Sequence, residues 1–178
     1  MVIVEYNKNW KKQFIQIKNI LDNNLSKIVT IEHVGSTAII GMCAKPIIDI
    51  DIIIENINDF EKTKNELELI GYFHEGDLGI IGRESFKRNN IIKNDILDKI
   101  KHHLYICTKD NEELKRHILF RDYLNKYSNK KMEYYDIKKA IIEKYGNEDR
   151  EKYVTIKEND YKSFFEKIIK EAEKELIK

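Results

Sequence analysis

The sequence predicts an α+β fold, a mixed β-sheet flanked by helices and followed by a helical C-terminal part. Residues 47–54 contain six isoleucines, which is typical of a buried strand. Segments with strand and helix patterns alternate before Asn111, and apolar residues recur at helical spacing after it. We therefore expect a single domain over residues 1–178, with a sheet core in about 1–108 and a helical part in about 109–178.

The first predicted elements lead toward the isoleucine-rich strand. Residues 1–5 are expected to form a short edge strand, and a helix begins near Asn7 or Asn9. The helix presents one apolar face, formed by Trp10, Phe14, Ile17 and Leu21. A second strand is predicted from Lys27 to Ser36, and a short helix from Thr37 to Met42.

A helix and a strand are predicted to follow the isoleucine-rich strand. The helix is capped by Asn58 or Asp59 and runs to about Ile70. Gly71 has the position of the glycine that commonly ends a helix. The next strand is expected at Tyr72–His74.

The remaining elements are predicted with unequal precision. Residues 75–101 are punctuated by glycines, and a hairpin, a short helix and a loop all fit their second half. Residues 102–108 have a strand pattern that places His103 and Tyr105 on one face. Three helices are then expected, from Asn111 to about Leu124, from about Lys131 to Tyr145, and from about Asn159 to the C-terminus.

Asp49 and Asp51 lie within the isoleucine-rich strand, where alternation places both carboxylates on one face. Two adjacent carboxylates in apolar surroundings repel each other and lose hydration. A cation relieves both costs. Mg²⁺ suits the position because it prefers carboxylate oxygens and commonly binds together with substrate phosphates. The alternative is a strand end where the pair meets solvent or a lysine.

Gly35 and Ser36 are predicted to form a turn between a strand and the short helix. The backbone N–H groups of such a turn suit a phosphate, and the Ser36 hydroxyl adds a further donor. Lys45 precedes the aspartate strand, where it can neutralise phosphate charge or pair with a carboxylate. An ordinary turn is the alternative for Gly35-Ser36. The spacing of twelve residues between Ser36 and Asp49 makes the combination more specific than either part.

Motifs along the chain carry a resemblance to a known family. Residues 33–38 read HVGSTA and residues 44–50 read AKPIIDI. These motifs resemble the GrpB family of the nucleotidyltransferase superfamily, whose fold is that of polymerase β. Weaker matches follow in family order, with GIIGRESF at 79–86, HLYI at 103–106 and FRDYL at 120–124.

The resemblance implies an enzyme that moves a nucleotidyl group from a nucleoside triphosphate to a hydroxyl acceptor, either a small molecule or a protein. It implies Mg²⁺ or Mn²⁺ at Asp49 and Asp51. The nucleotide-binding candidates are the turn and nearby cations, namely Gly35, Ser36, Lys45, Arg83, Arg121 and Lys138. For each of the arginines and Lys138, a surface salt bridge is the alternative.

One departure from the superfamily pattern concerns catalysis. Active members usually carry a third carboxylate on a later strand, but residues 102–106 contain no Asp or Glu. His103 takes that place as a catalytic candidate, because an imidazole can act as a base although it is a poor Mg²⁺ ligand. A catalytically inactive nucleotide-binding or regulatory module is therefore the alternative function.

Composition excludes several other classes of protein. The formal net charge is +1 with 35% charged residues, which argues against nucleic acid as a partner. No apolar stretch approaches the roughly 20 residues of a membrane helix, and no signal-peptide pattern is present. Cys43 and Cys107 fit no zinc or disulfide motif, so buried reduced thiols in a cytoplasmic protein are expected.

Overall fold

A computed structural model describes residues 2–26, 29–89 and 91–176 of the protein. Its α-helices are α1 (Asn9–Asn24), α2 (Phe60–Leu69), α3 (Asp95–Lys99), α4 (Glu112–Lys126), α5 (Ser128–Tyr145), α6 (Arg150–Asp160) and α7 (Lys162–Leu176). Its strands are β1 (Thr30–Val34), β2 (Ile48–Ile54), β3 (Tyr72–Gly76), β4 (Arg83–Arg88) and β5 (His102–Thr108). Across the described residues, no helix is both long and apolar enough to cross a membrane.

The strands form one mixed sheet with the order β1-β2-β5-β4-β3. Strands β2 and β5 pair in parallel, whereas the other neighbouring pairs are antiparallel. The parallel pair needs a long crossover connection, and the segment holding α2, the β3–β4 hairpin and α3 provides it. The predicted α+β fold with a mixed sheet is confirmed.

Strand β2 presents two chemically different faces, as its alternation predicts. Ile48, Ile50, Ile52 and Ile54 belong to a buried cluster that also contains residues of α1 and α2. Burying each isoleucine stabilises the fold by about 1.5–3 kcal/mol. Asp49 and Asp51 face the other side, so the apolar face anchors the strand while the polar face remains available for chemistry.

A second apolar cluster joins the helical part to the segment between β1 and β2. Met42 and Cys43 from that segment pack with Leu124, Tyr134 and Ile168 from α4, α5 and α7. Both cysteines are free and buried, as the sequence predicts. The helices are therefore held beside the polar face of the sheet.

Asn147 ties the beginning of the described chain to the segment that follows α5. Its side-chain oxygen accepts hydrogen bonds from the backbone N–H groups of Val2 and Ile3, at 2.8 and 2.7 Å. Its side-chain nitrogen donates to the carbonyl oxygen of Ile3 at 2.9 Å. Val4 pairs with Ala44, so this segment also contacts the connection before β2.

The predicted helix from Thr37 to Met42 is wrong. A 3₁₀ turn of three residues, Ser36–Ala38, is present instead. Ile39 is already extended, and Gly41 has a φ of +83°, so the backbone leaves helical geometry at once. The beginning of the predicted second strand, Lys27-Ile28, lies outside the described residues.

Other boundaries differ from the sequence predictions for local reasons. Asn56, rather than Asn58 or Asp59, supplies the side-chain cap, because a 3₁₀ turn precedes α2. Strand β4 and helix α3 occupy the region that the pattern left undecided. Helix α6 was not predicted, so the described chain after Asn111 holds four helices rather than three. Asp149 caps α6 by accepting a hydrogen bond from the Lys152 N–H.

Candidate functional site

A cleft of about 680 Å³ lies between the polar face of the sheet and helices α4 to α7. Every predicted site residue except Asp51 lines it, namely Gly35, Ser36, Lys45, Asp49, Arg83, His103, Arg121 and Lys138. These residues come from five secondary-structure elements and from the connection between β1 and β2, so only the tertiary fold brings them together. Further lining cations are Arg116, Lys157 and Lys162, whereas the lining carboxylates are Asp49 and Glu113.

Asp51 lies beneath the cleft and is fully buried, with 0% of its surface exposed. It stands opposite Glu32 of β1 and Tyr105 of β5 in the sheet. Its Oδ1 accepts a hydrogen bond from the Arg83 guanidinium at 3.4 Å, and its Oδ2 accepts one from His117 Nδ1 at 2.9 Å. Side chains of the protein itself therefore compensate this buried carboxylate.

Asp49 lies nearer the opening of the cleft than Asp51 and is partly exposed. It stands opposite Val34 of β1 and His103 of β5. His103 Nδ1 donates a hydrogen bond to Asp49 Oδ1 at 2.8 Å. The structure thus places His103, on the predicted strand, directly beside Asp49.

Gly35 approaches Asp49 more closely than any other residue type could. Its φ is +71°, a left-handed conformation that side chains other than glycine rarely adopt. A Cβ atom at this position would lie 2.4 Å from Asp49 Oδ2. Only glycine therefore allows the backbone of the turn to lie this close to the Asp49 carboxylate.

Lys138 reaches the same turn from α5 and is almost completely buried, with 2% of its surface exposed. Its ammonium group donates to Ser36 Oγ at 2.7 Å and to the Cys43 carbonyl oxygen at 2.7 Å. It also lies over the ring of Tyr134, 4.6 Å from the centroid. Among the described residues, no carboxylate lies within ion-pair distance of it. Burial lowers the pKa of Lys138.

Arg83 is the first residue of β4 and is largely buried, with 8% of its surface exposed. Its guanidinium stacks on the ring of Tyr105, 3.4 Å from the centroid. Within the part of the chain that the structure describes, its Nε is buried and has no hydrogen-bond partner. Leaving such a donor unpaired costs about 1–3 kcal/mol.

Arg121 and Lys45 line the cleft with different partners. Arg121 donates to Glu32 at 2.5 Å, to the His33 carbonyl oxygen at 2.8 Å and to its neighbour Asp122 at 2.7 Å. Lys45 lies over the ring of Tyr153, 5.8 Å from the centroid. Arg121 thus holds β1 against α4, whereas Lys45 contacts Tyr153 of α6.

His33 lies on the apolar side of the sheet, away from the carboxylate pair. It stands opposite Ile50, stacks on Phe14 with ring centroids 4.7 Å apart, and hydrogen-bonds Thr37 Oγ1 at 3.0 Å. Burial lowers the pKa of His33 to about 4. These contacts give His33 a structural role in fixing the turn.

His117 is a site residue that the sequence analysis missed. It lies on α4, 66 residues from its partner Asp51, so no local spacing connects them. Its Nε2 also lies 3.5 Å from Glu113 Oε1. One signal was available: Glu113, His117 and Arg121 recur every four residues and form a polar stripe on one face of α4.

The donor atoms in and beneath the cleft supply only part of a ligand set for a divalent cation. Among the described residues, no group of three or more His, Cys, Asp or Glu side chains meets in a metal-binding arrangement. Asp49 and Asp51 nevertheless supply hard carboxylate oxygens on one face of β2. The pair fits part of a coordination sphere, with the remaining ligands coming from bound phosphates or water.

Sequence comparisons place the chain among known proteins. A family model described as GrpB protein matches residues 1–171. Glutamate-rich protein GrpB of Alkalihalophilus pseudofirmus is 37% identical over 173 residues, which are 96% of this chain and 95% of that protein. UPF0157 protein YqkA of Bacillus subtilis is 34% identical over 140 residues, which are 78% of this chain and 39% of that protein.

Solved structures agree with this assignment. The crystal structure of conserved protein GrpB from Enterococcus faecalis has a TM-score of 0.78 and 31% identity, covering 99% of this chain and 100% of that one. A structure of the Cid1 poly(U) polymerase with MgGTP bound has a TM-score of 0.50 and 14% identity, over 71% of this chain and 40% of that one. At such identity, the second likeness concerns the fold alone. The chain therefore belongs to the GrpB family, and its fold is that of the nucleotidyltransferases.

Proposed function

We propose that the protein is a metal-dependent nucleotidyltransferase that moves a nucleotidyl group from a nucleoside triphosphate to a hydroxyl on a small molecule or a protein. The observation that carries this proposal is the contact between Lys138 and Ser36 beside Asp49. A buried ammonium group with no carboxylate within ion-pair distance among the described residues is a costly feature. A triphosphate placed at this turn supplies the missing negative charge.

In this proposal, the phosphates bind where the turn and the cations converge. The Ser36 hydroxyl and Lys138 contact the terminal phosphates, and Gly35 lets them approach the backbone closely. Lys45 and Arg83 neutralise phosphate charge from two sides of the cleft. Arg121 acts indirectly, because its bonds to Glu32 and the His33 carbonyl hold the strand that leads into the turn.

The reaction itself requires positioning and charge neutralisation rather than covalent chemistry by the protein. Mg²⁺ or Mn²⁺ held by Asp49 and Asp51 would neutralise phosphate charge and activate the attacking hydroxyl. His103 is placed to accept the proton of that hydroxyl, because it lies against Asp49 on the neighbouring strand. The carboxylate of Asp49 orients the His103 ring through Nδ1.

A second candidate function is a nucleotide-binding or regulatory module without turnover. Two observations favour it. Strand β5 carries no carboxylate on the polar face, and both oxygens of Asp51 already accept hydrogen bonds from Arg83 and His117. Both functions share the phosphate site and differ only in whether the α-phosphorus is attacked.

Nucleotide binding is tested by thermal unfolding with ATP, GTP, CTP and UTP at millimolar concentration in the presence of Mg²⁺. We expect at least one nucleotide to raise the Tm of the wild type. Ser36→Ala and Lys138→Met should lose most of that rise. Lys139→Met is the matched control, because Lys139 is the next residue on α5 and pairs with Glu5 at the surface. A wild type that responds to none of the four nucleotides contradicts the proposal.

Turnover is tested separately by measuring pyrophosphate release from each triphosphate with a pool of hydroxyl acceptors. Release that depends on Asp49 and His103 supports the transferase. Nucleotide binding without release in any acceptor pool supports the binding module instead.

A further inference from the structure

Arg83 and His117 each donate a hydrogen bond to a different oxygen of Asp51. Asp51 is fully buried, and the Arg83 guanidinium lies 3.4 Å from its Oδ1. His117 Nδ1 donates a hydrogen bond to the other oxygen of Asp51, Oδ2, at 2.9 Å. A divalent cation that shared Asp51 with Asp49 would therefore compete with the positive charge of Arg83 for a carboxylate that the protein already compensates.

Of the two partners, Arg83 holds Asp51 by the weaker hydrogen bond. The Arg83 hydrogen bond, at 3.4 Å, is longer than the usual N–H···O range, whereas the His117 bond, at 2.9 Å, is of ordinary length. Among the residues that the structure describes, none accepts a hydrogen bond from the buried Nε of Arg83, so its present position leaves one donor unsatisfied. Phosphate oxygens in the cleft would satisfy this donor and attract the same positive charge.

We propose that Arg83 is the counter-ion of Asp51 in the ligand-free protein, and that the divalent cation binds at Asp51 only together with a polyphosphate. Arg83 then leaves Asp51 and binds the polyphosphate. This inference rests on the proposed function and names the residue that couples its two ligands. Guanidinium and metal carry charge of the same sign and compete for one carboxylate. The triphosphate resolves the competition because it offers Arg83 another anion.

Such coupling has a thermodynamic consequence. If nucleotide raises the affinity for the cation, the cation raises the affinity for nucleotide by the same factor. Replacing Arg83 should make metal binding independent of nucleotide, because Asp51 is then available to a metal before any nucleotide binds.

The experiment titrates Mn²⁺ into nucleotide-free protein and follows free Mn²⁺ by electron paramagnetic resonance. Arg83→Met should bind Mn²⁺ about tenfold or more tightly than the wild type, within the usual range of coupling energies. Adding Asp51→Asn to Arg83→Met should remove that gain. Arg116→Met is the matched control, because Arg116 lines the same cleft but pairs with Glu113 at 3.6 Å. We expect it to change Mn²⁺ affinity about twofold or less.

Two results would overturn the inference. One is equal Mn²⁺ affinity in the wild type and a folded Arg83→Met. The other needs no Arg83 variant: nucleotide-free wild type binds one Mn²⁺ tightly, and Asp51→Asn abolishes that binding. Neither result touches the proposed function, which fails instead if the wild type shows no thermal shift with any nucleotide.

Discussion

Replacing Lys138 with methionine tests whether this buried cation serves stability or ligand binding. The substitution removes hydrogen bonds to Ser36 Oγ and to the Cys43 carbonyl oxygen. Hydrogen bonds from a charged donor are worth about 1.5–3 kcal/mol each, so the gross loss is about 3–6 kcal/mol. The substitution also removes the penalty of burying an ammonium group, which is several kcal/mol.

These opposing terms nearly cancel, so we expect Lys138→Met to change the free energy of unfolding by no more than about 2 kcal/mol. The nucleotide-induced rise in Tm should nevertheless disappear. Urea unfolding measures the first quantity, and thermal unfolding with nucleotide and Mg²⁺ measures the second. A loss of about 4 kcal/mol or more with the nucleotide response intact would show instead that Lys138 is purely structural.

The pH dependence of the same variant supplies an independent check. The pKa of Lys138 is lowered by burial from its ordinary 10.5, so the unfolded chain binds this proton more tightly than the folded protein does. Stability therefore increases as pH rises from the folded pKa toward 10.5. The wild type should gain stability relative to Lys138→Met over that interval, measured by urea unfolding at matched pH values. A difference that shrinks with rising pH would contradict the lowered pKa.

Three further predictions concern the strands around the cleft. Gly35→Ala should lower the free energy of unfolding by about 1–3 kcal/mol because alanine is strained at a φ of +71°, and its Cβ should displace Asp49. The stability measured by urea unfolding and the nucleotide-induced rise in Tm should therefore both decrease. A variant unchanged in both measurements would contradict the close contact between Gly35 and Asp49. Asp51→Asn should lower the free energy of unfolding by about 3–5 kcal/mol, because Arg83 is then buried and unpaired. Asp49→Asn should lower it by less than about 1 kcal/mol, because Asp49 is partly exposed. Equal losses in urea unfolding would be inconsistent with the different burial of the two residues. Burial lowers the pKa of His33 to about 4, so between pH 6.5 and 4 its ring is protonated mainly in the unfolded chain. The free energy of unfolding of the wild type should therefore fall by about 3 kcal/mol over this interval. His33→Gln lacks the titrating ring and should lose correspondingly less stability in urea unfolding at the same pH values.

The fold could be predicted from sequence wherever one local pattern determined both structure and burial. Alternation in residues 47–54 and 102–108 assigned each side chain to its correct face. Strand β4 escaped prediction because its sequence, RESFKR, contains little apolar alternation, and its pairing with β3 and β5 decides its conformation. Helix α6 escaped for a similar reason, since its apolar side chains are few and only tertiary packing covers them.

The sequence predicted most of the residues that form the candidate site, but it did not predict which of their side chains contact each other. The sequence shows two carboxylates that repel each other and predicts a bound metal ion that relieves the repulsion. The structure shows Arg83 and His117 at Asp51, contributed from 32 and 66 residues away. Sequence spacing cannot reveal such contacts, because they depend on how β4 and α4 dock against the polar face of the sheet.

The hydrogen bonds of Asn147 have a consequence for the order of folding events. They join segments 144 and 145 residues apart, so the intervening chain must be closed into a loop before they can form. Contacts of such long sequence separation carry a large entropic cost and are therefore expected late in folding. The sheet can pair earlier through shorter-range contacts, but Lys138 reaches Ser36 only after the helical part has docked. Completion of the cleft is accordingly expected late in folding, after the strands of the sheet have paired.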